Sequence, residues 1–483
     1  MDGTSSISTS LPVAVIGGGP VGLAAAAQLA SRGQKFILFE SGPVPGAAMR
    51  EWGHVTFFSP WRYTVDDAAR ALLEPAGWTM PDPDRDPTGR ELVERYLVPL
   101  AGHPQIAPHL RFNARVISVS RRGMDRVPSS GREERPFEVV TLSPDGRESR
   151  HLVRAVIDAS GTWRSPNPAG AGGVPAEGER AAAARLSYGI PDVSGNAKQR
   201  FAGKRVMVLG SGHSAMDSIL GLTRLKSEAP QTEILWAMRS PPSTRTFGGL
   251  TDDQLASRGA LGERSKAAVD GGKVRLLAPF RVRAFALEQG AIAVTGEGAD
   301  GETTVTVDEV IVATGFRPDF SALTELRLDL HPWLESPRVL GPLIDPNEHS
   351  CGTVPPHGEA ELRHPERDVY IVGMKAYGRA PTFLMITGYE QVRSVVAALA
   401  GDWEAARDTR LVLPETGVCN GPGLAEADGG RVEAASCCAP TCCAPAPKVE
   451  TAKAECCAPT CCAPETATTA PGIAVAVPAG GGP

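Results

Sequence analysis

Two glycine-rich turns, each held between an apolar strand and a helix, constrain this chain more than any other feature of it. The first reads Gly17-Gly18-Gly19-Pro20-Val21-Gly22, after the wholly apolar run Leu11-Pro-Val-Ala-Val-Ile16. An Ala-rich helix over Val21 to Ser31 follows, then a second apolar run, Phe36 to Phe39, that ends at Glu40. Uninterrupted apolar runs of this length read as strands of a parallel sheet covered on both faces. Strand, turn, helix and strand in about thirty residues make a βαβ unit.

The spacing G-x-G-x-x-G has a mechanical reason. Gly17 permits the tight turn, Gly19 lets the backbone approach a pyrophosphate, and Gly22 lets the helix pack closely on the sheet. The helix N-terminus then faces phosphate oxygens with unpaired N–H groups and the positive end of its dipole, and Pro20 is counted with the candidate contacts. Glu40 is placed to accept from ribose hydroxyls. Together these mark a dinucleotide site.

The second turn, Gly210-Ser211-Gly212-His213-Ser214-Ala215, fits G-x-G-x-x-A after the strand Arg205 to Leu209. Its partner strand, Glu233 to Met238, runs into Arg239 where the first unit has an acid. A guanidinium pairs with a 2′-phosphate that an acid would repel, so this unit is expected to take NADPH. His213, inside the turn, reads as a phosphate-side or packing residue.

A chain of 483 residues accommodates two such domains and some unstructured chain. The expected class is α/β: two nested Rossmann-like domains followed by a disordered, Cys-rich C-terminal tail. The boundaries read 11–195 for the first part of one domain, 196–315 for an inserted domain, 316–413 for the return and 414–483 for the tail. The return is signalled by the strand Val369 to Val372 and a helix over Gly388 to Ala400. After Leu413, Pro, Ala, Gly, Thr and paired Cys dominate, and such a composition cannot bury enough apolar surface to offset its ordering entropy. The nine residues Cys-Cys-Ala-Pro-Thr-Cys-Cys-Ala-Pro occur at 437–445 and again at 456–464.

Several function classes fall away. The net charge of −6 is spread along the chain, and the Arg-rich stretch Arg121, Arg122, Arg126, Arg132 and Arg135 is interleaved with acids and reads as a solvated loop. No nucleic-acid partner is expected. No segment approaches the roughly 20 apolar residues that span a bilayer. The first ten residues carry no secretory signal, so a cytoplasmic location is the expectation.

The two units together resemble the two-dinucleotide-binding flavoproteins, which include flavin-containing monooxygenases and thioredoxin-reductase-like enzymes. The stretches Val310-Ile-Val-Ala-Thr-Gly-Phe-Arg-Pro318 and Ile157-Asp-Ala-Ser-Gly-Thr162 are similar to that superfamily's exits from the NADPH and FAD domains. Val369-Tyr-Ile-Val-Gly-Met-Lys375 is similar to its late turn over the flavin, with Met374 standing where an Asp is common. The resemblance spans residues 11 to 405. It implies FAD on the first unit, with Gly17, Gly19, Pro20, Gly22, Glu40, Val116, Ala159, Ser160, Gly161, Gly373 and Met374 as contacts. It implies NADPH on the second, with Gly210, Gly212, His213, Ser214, Ala215, Arg239, Ala313, Thr314 and Gly315. Trp52, Trp61, Tyr63, Tyr377 and Arg379 are candidates to stand near the flavin.

The departures narrow the activity. No cysteine precedes Cys351, so an internal dithiol stacked on the flavin is excluded. The monooxygenase linker F-x-G-x-x-x-H-x-x-x-W is missing; only Leu186-Ser-Tyr-Gly-Ile-Pro191 and Phe201-Ala-Gly203 stand near its place. The paired tail cysteines resemble the metal-delivering thiols of mercuric reductases, and the core resembles the ArsO-type flavoprotein monooxygenases of arsenic-resistance operons. Thiolates at Cys437, Cys438, Cys442, Cys443, Cys456, Cys457, Cys461 and Cys462 are candidate ligands for a soft metal or metalloid. The expected activity is NADPH-driven oxygenation of a soft small molecule by FAD and oxygen. Two alternatives stand beside it: a reductase of a metal or metalloid delivered by the tail, and a metal-binding or redox-sensing flavoprotein with little turnover. Oligomeric state is not legible.

Overall fold

The computed structural model describes residues 10–242, 244–247, 256–349 and 354–409. Cys351 and the eight cysteines from Cys437 to Cys462 lie outside the described residues.

The chain begins with β1 (Val13–Ile16), helix α1 (Pro20–Ser31) and β2 (Phe36–Phe39), as the first glycine turn requires. A short strand, β3 (Leu110–Arg111), precedes an antiparallel ribbon of β4 (Arg115–Arg121), β5 (Phe137–Leu142) and β6 (Glu148–Val153). Next comes β7 (Ala155–Asp158), and then β8 (Leu186–Tyr188). The second unit holds β9 (Arg205–Leu209), α2 (His213–Glu228), β10 (Glu233–Ala237), α3 (Ala256–Asp270) and β11 (Arg275–Leu277). A second ribbon follows: β12 (Arg281–Glu288), β13 (Ala291–Gly298) and β14 (Gly301–Val307). The strands close with β15 (Glu309–Val312) and β16 (Val369–Ile371), before helix α4 (Met385–Leu399).

These strands form two five-stranded parallel sheets, ordered β16-β7-β1-β2-β3 and β11-β10-β9-β15-β8. The two are built alike: βαβ, a short third strand, a three-stranded antiparallel ribbon, then a fourth strand returning beside the first. Each sheet takes its fifth strand from outside that run, β16 from the return segment and β8 from the entry segment. Because β8 pairs with β15, residues 186–188 belong by hydrogen bonding to the second sheet, not to the first domain where the 11–195 boundary put them. The crossing itself is paired: Pro166 and Phe316 form a bridge, and Asn167 and Thr314 exchange hydrogen bonds.

Burial explains the order. Strands β1, β7 and β15 are buried at every position, as parallel strands covered on both faces must be. Helix α1 packs on α4, and the run Ala24 to Ala27, with no exposed surface, lets the two approach closely. Met374 and Lys375 sit in the turn after β16, and the last long helix starts three residues before the expected Gly388.

One reading of the sequence is overturned. Arg121 and Arg132 are not in a solvated loop: they are 1% and 3% exposed and share the carboxylate of Glu366 at 2.8 and 2.6 Å. The Arg121 guanidinium also lies 3.7 Å from the centroid of Phe137. The pair pins the first ribbon to the return segment. A single buried carboxylate, with an acceptor oxygen for each cation, makes their burial tolerable.

Candidate functional site: one cleft carrying both glycine turns

The first turn is shaped for close backbone approach. Gly17 has φ +105°, and a Cβ there would stand 2.6 Å from the carbonyl oxygen of Ala159. At Gly22 a Cβ would come within 1.9 Å of the Gly17 carbonyl oxygen, so this glycine serves helix–strand packing. Nothing lies within 4 Å of a Cβ at Gly19, which leaves that side of the turn open for a phosphate. The second turn repeats the arrangement: Gly210 (φ +123°) abuts the Ala313 carbonyl, Gly212 is open, and Ala215 is fully buried.

A cleft of about 1110 Å³ is lined by residues of the first turn (Gly17, Gly19, Pro20), by Glu40 and Val116, and by Ala159, Ser160 and Gly161. Gly373 and Met374 of the late turn line it too, as do His213, Ser214 and Asp217 of α2. This exceeds the size of an ordinary small-molecule pocket, which runs to about 1,000 Å³ at most. The residues fit a dinucleotide. Glu40 accepts from the backbone N–H groups of Gly18 and Gly42, at 2.7 Å each, so its carboxylate is held rigidly at the turn. A carboxylate has about four acceptor sites, which leaves capacity for ribose hydroxyls.

Aromatic rings line the junction. Trp52 lies 5.5 Å from Phe57 and 6.1 Å from Trp163, whose ring is 4.9 Å from that of Phe316. Glu51 fixes Trp163 by accepting from its Nε1 at 2.8 Å and also pairs with Arg164. On the other side Phe58 packs against His213. The sequence reading named Trp52 but missed Phe58, Trp163 and Phe316, because no periodicity in these loops tells which aromatic faces the cleft.

The other flavin-side candidates lie elsewhere. Trp61 and Tyr377 have no exposed surface and pack in the core, Tyr377 beside His357 and Phe383. Tyr63 carries the guanidinium of Arg62 on its ring, and Arg379 pairs with Glu335 at 2.6 Å. None of the four lines the cleft. Ala313, Thr314 and Gly315 also lie off the cleft wall; Thr314 donates to the carbonyls of Asn167 and Pro168 at the crossing. Arg239 stands exposed past the end of β10 and donates to the Ala171 carbonyl at 3.3 Å.

The charges of the cleft are unevenly spread. Burial pushes the carboxyl of Asp217 up to about 6, against the pull of Arg224 and Arg264. Asp158 and Lys375 form a buried pair at 2.6 Å in the cleft wall. Asp158 ends a strand that is otherwise apolar, and that break in pattern was the available signal.

A family model described as an NAD(P)-binding Rossmann-like domain matches residues 15–80, the first βαβ unit and the loop after it. No curated protein sequence matches the chain. Among solved structures, the bacillithiol disulfide reductase Bdr from Bacillus cereus is 19% identical with a TM-score of 0.57, covering 81% of this chain and 99% of that one. The same enzyme from Staphylococcus aureus gives 17% and 0.59, covering 81% and 98%. The cadaverine monooxygenase DfoA from Erwinia amylovora, solved bound to FAD, gives 15% and 0.57, covering 86% and 99%. At these identities the likeness establishes a common fold.

Proposed function

We propose that the protein is a flavin-dependent oxidoreductase holding FAD at the first glycine turn and NADPH at the second, and that it oxygenates a soft nucleophile. The observation that carries this reading is the single cleft on which both turns' neighbours converge, with His213 and Ser214 of the second unit sharing a wall with Gly17, Gly19 and Ser160 of the first. When bound, FAD supplies hydride acceptance from a reduced nicotinamide and, once reduced, reaction with oxygen.

The chain's own part is to bind, orient and exclude water. The open faces of Gly19 and Gly212 receive phosphates, Glu40 orients a ribose, and Arg239 stands ready for a 2′-phosphate. Trp52, Phe57, Trp163 and Phe316 make an apolar wall at the domain junction, where a hydride must pass without meeting solvent. No cysteine precedes Cys351 in the sequence, which favours oxygen over an internal disulfide in the first 350 residues as electron acceptor. Trivalent arsenic and thioethers are the first substrates to screen on grounds of softness.

A reductase is the second reading, favoured by the fold shared with bacillithiol disulfide reductases. Its acceptor would come from outside the cleft, either a small molecule or a metal carried by the tail cysteines. The test is NADPH turnover with isotopically labelled oxygen and a panel of soft nucleophiles. Label in the product supports oxygenation. Sustained anaerobic turnover with a disulfide or metal acceptor, and no labelled product, supports the reductase. Truncation after Pro414 then separates a tail-dependent reductase from one acting on free acceptors.

A further inference from the structure

Asp158 is an anomaly that the chain's own repetition exposes. It ends β7, pairs with Ile16 at the end of β1, and precedes Ala159-Ser160-Gly161. The matching position in the second sheet is Val312, which pairs with Leu209 at the end of β9 and precedes Ala313-Thr314-Gly315. One sheet thus takes valine where the other carries a carboxylate that is 2% exposed.

The carboxylate holds a lysine. Its Oδ2 accepts from Lys375 Nζ at 2.6 Å, and its Oδ1 accepts from the Ser160 backbone N–H at 3.0 Å. Lys375 also donates to Ser160 Oγ at 3.1 Å, and its ammonium stands 5.3 Å from the Phe320 ring centroid. A buried ion pair seldom improves on two well-packed apolar residues, so stability alone is a weak reason for the pair.

Its position offers a better one. Asp158, Ser160 and Lys375 all line the cleft, and Gly373, two residues before the lysine, packs against Val21 in the first turn of α1. That is the helix end where a pyrophosphate would lie, and the turn from Gly17 to Gly22 contains no basic side chain. An ammonium has three N–H donors, and Asp158 and Ser160 take two. Met374, next to the lysine, brings no charge.

We infer that Lys375 is a cofactor-anchoring residue: its third N–H donates to a phosphate oxygen of the dinucleotide held at the first turn, while Asp158 and Ser160 clamp the ammonium in place. This rests on the reading that FAD occupies that turn. The chemistry recognised is a non-bridging oxygen of a diphosphate, and the lysine supplies the fixed cation that the glycine turn lacks.

The test uses the full chain, stripped of flavin and titrated with FAD at several salt concentrations. Lys375→Met is compared with the double variant Asp158→Val plus Lys375→Met, which removes both charges and copies the Val312 arrangement. The double variant also covers the case in which Lys375→Met alone leaves Asp158 unpaired and the protein unfolded. The expected result is a double variant that melts like the wild type yet binds FAD about tenfold more weakly, with a shallower salt dependence. A double variant with wild-type affinity and salt slope would mean that the pair serves only itself, and would overturn the inference. A wild-type chain that binds no FAD would instead overturn the reading on which the inference rests.

Discussion

The ring of Phe58 rests against the ring of His213, with centroids 5.0 Å apart and planes tilted by 49°. Phe58 belongs to the loop that follows the first βαβ unit, and His213 is the first residue of α2. The start of α2 is therefore packed on the segment after the first βαβ unit, and His213 and Ser214 share one cleft with Gly17 and Gly19. Loss of the Phe58 ring should loosen this junction without touching the first turn. Phe58→Ala is expected to retain FAD and to slow flavin reduction by NADPH about two- to tenfold, the scale of one aromatic pair. Stopped-flow reduction at saturating NADPH measures it.

The glycines divide by what a side chain would meet. Gly22→Ala forces a methyl group against the Gly17 carbonyl, so FAD loss and a destabilisation of roughly 1–3 kcal/mol are expected. A Cβ at Gly212 meets no protein atom within 4 Å, so Gly212→Ala should fold with an unchanged melting temperature. Its side chain instead occupies phosphate space, and the NADPH KM should rise more than about tenfold. Flavin content and KM, measured on both variants, check the division.

Arg239 should set the choice of nicotinamide. Arg239→Ala is expected to weaken NADPH about tenfold, the scale of one charge-assisted contact, and to leave NADH nearly unchanged. The ratio of kcat/KM for the two cofactors is the measurement.

Asp217 lends the cleft a pH dependence. Its carboxyl, raised to about 6 by burial, ionises one helical turn from His213 as the pH passes through that value, adding a negative charge beside the site proposed for the nicotinamide nucleotide's phosphates. NADH affinity should therefore fall between about pH 5 and pH 7, and Asp217→Asn should flatten the profile. NADH is the probe because it lacks a 2′-phosphate that would itself titrate there. The stability effect has a definite sign. A carboxyl raised in the folded state favours folding below its unfolded value of 3.8, and that advantage is lost as the pH rises through about 6. Above that, Asp217→Asn should be the more stable protein, by up to ~3 kcal/mol.

Glu366 carries the opposite sign. Arg132 and Arg121 hold its carboxyl below the usual glutamate range, against the cost of burial. Its contribution is present above the ordinary value of 4.5 and is lost as the pH falls through the lower folded value. Glu366→Ala leaves two buried guanidinium groups without their carboxylate and should cost about 3–5 kcal/mol. Urea unfolding at pH 7 measures it.

Strands β1, β2, β7, β9, β10, β15 and β16 were legible because they carry apolar runs and the turns after β1 and β9 carry glycine at fixed spacing, whereas the short edge strands β3 and β11 carry neither signal. Both signals are local. The three-residue edge strand Leu186–Tyr188 was not, since its only distinction is its partner β15, more than a hundred residues away in the chain. Arg121 and Arg132 read as solvated for the same reason: the acid that buries them, Glu366, is 245 and 234 residues distant. In the loop from Ser41 to Pro87, Trp52 turns toward the cleft and Trp61 into the core. Nothing in their neighbours' sequence separates the two. Asp158 and Lys375 were visible as residues, but their meeting depends on β16 returning beside β7.

The most direct test of the account is anaerobic reduction of the purified full-length protein by NADPH, followed by admission of oxygen, with the flavin spectrum recorded throughout. The account predicts complete bleaching by NADPH, slower bleaching by NADH, and then a spectrum distinct from both reduced and oxidised flavin that persists before the oxidised form returns. A bound flavin that NADPH fails to reduce would contradict the shared cleft. Immediate return of oxidised flavin with release of peroxide would contradict oxygenation and favour the reductase.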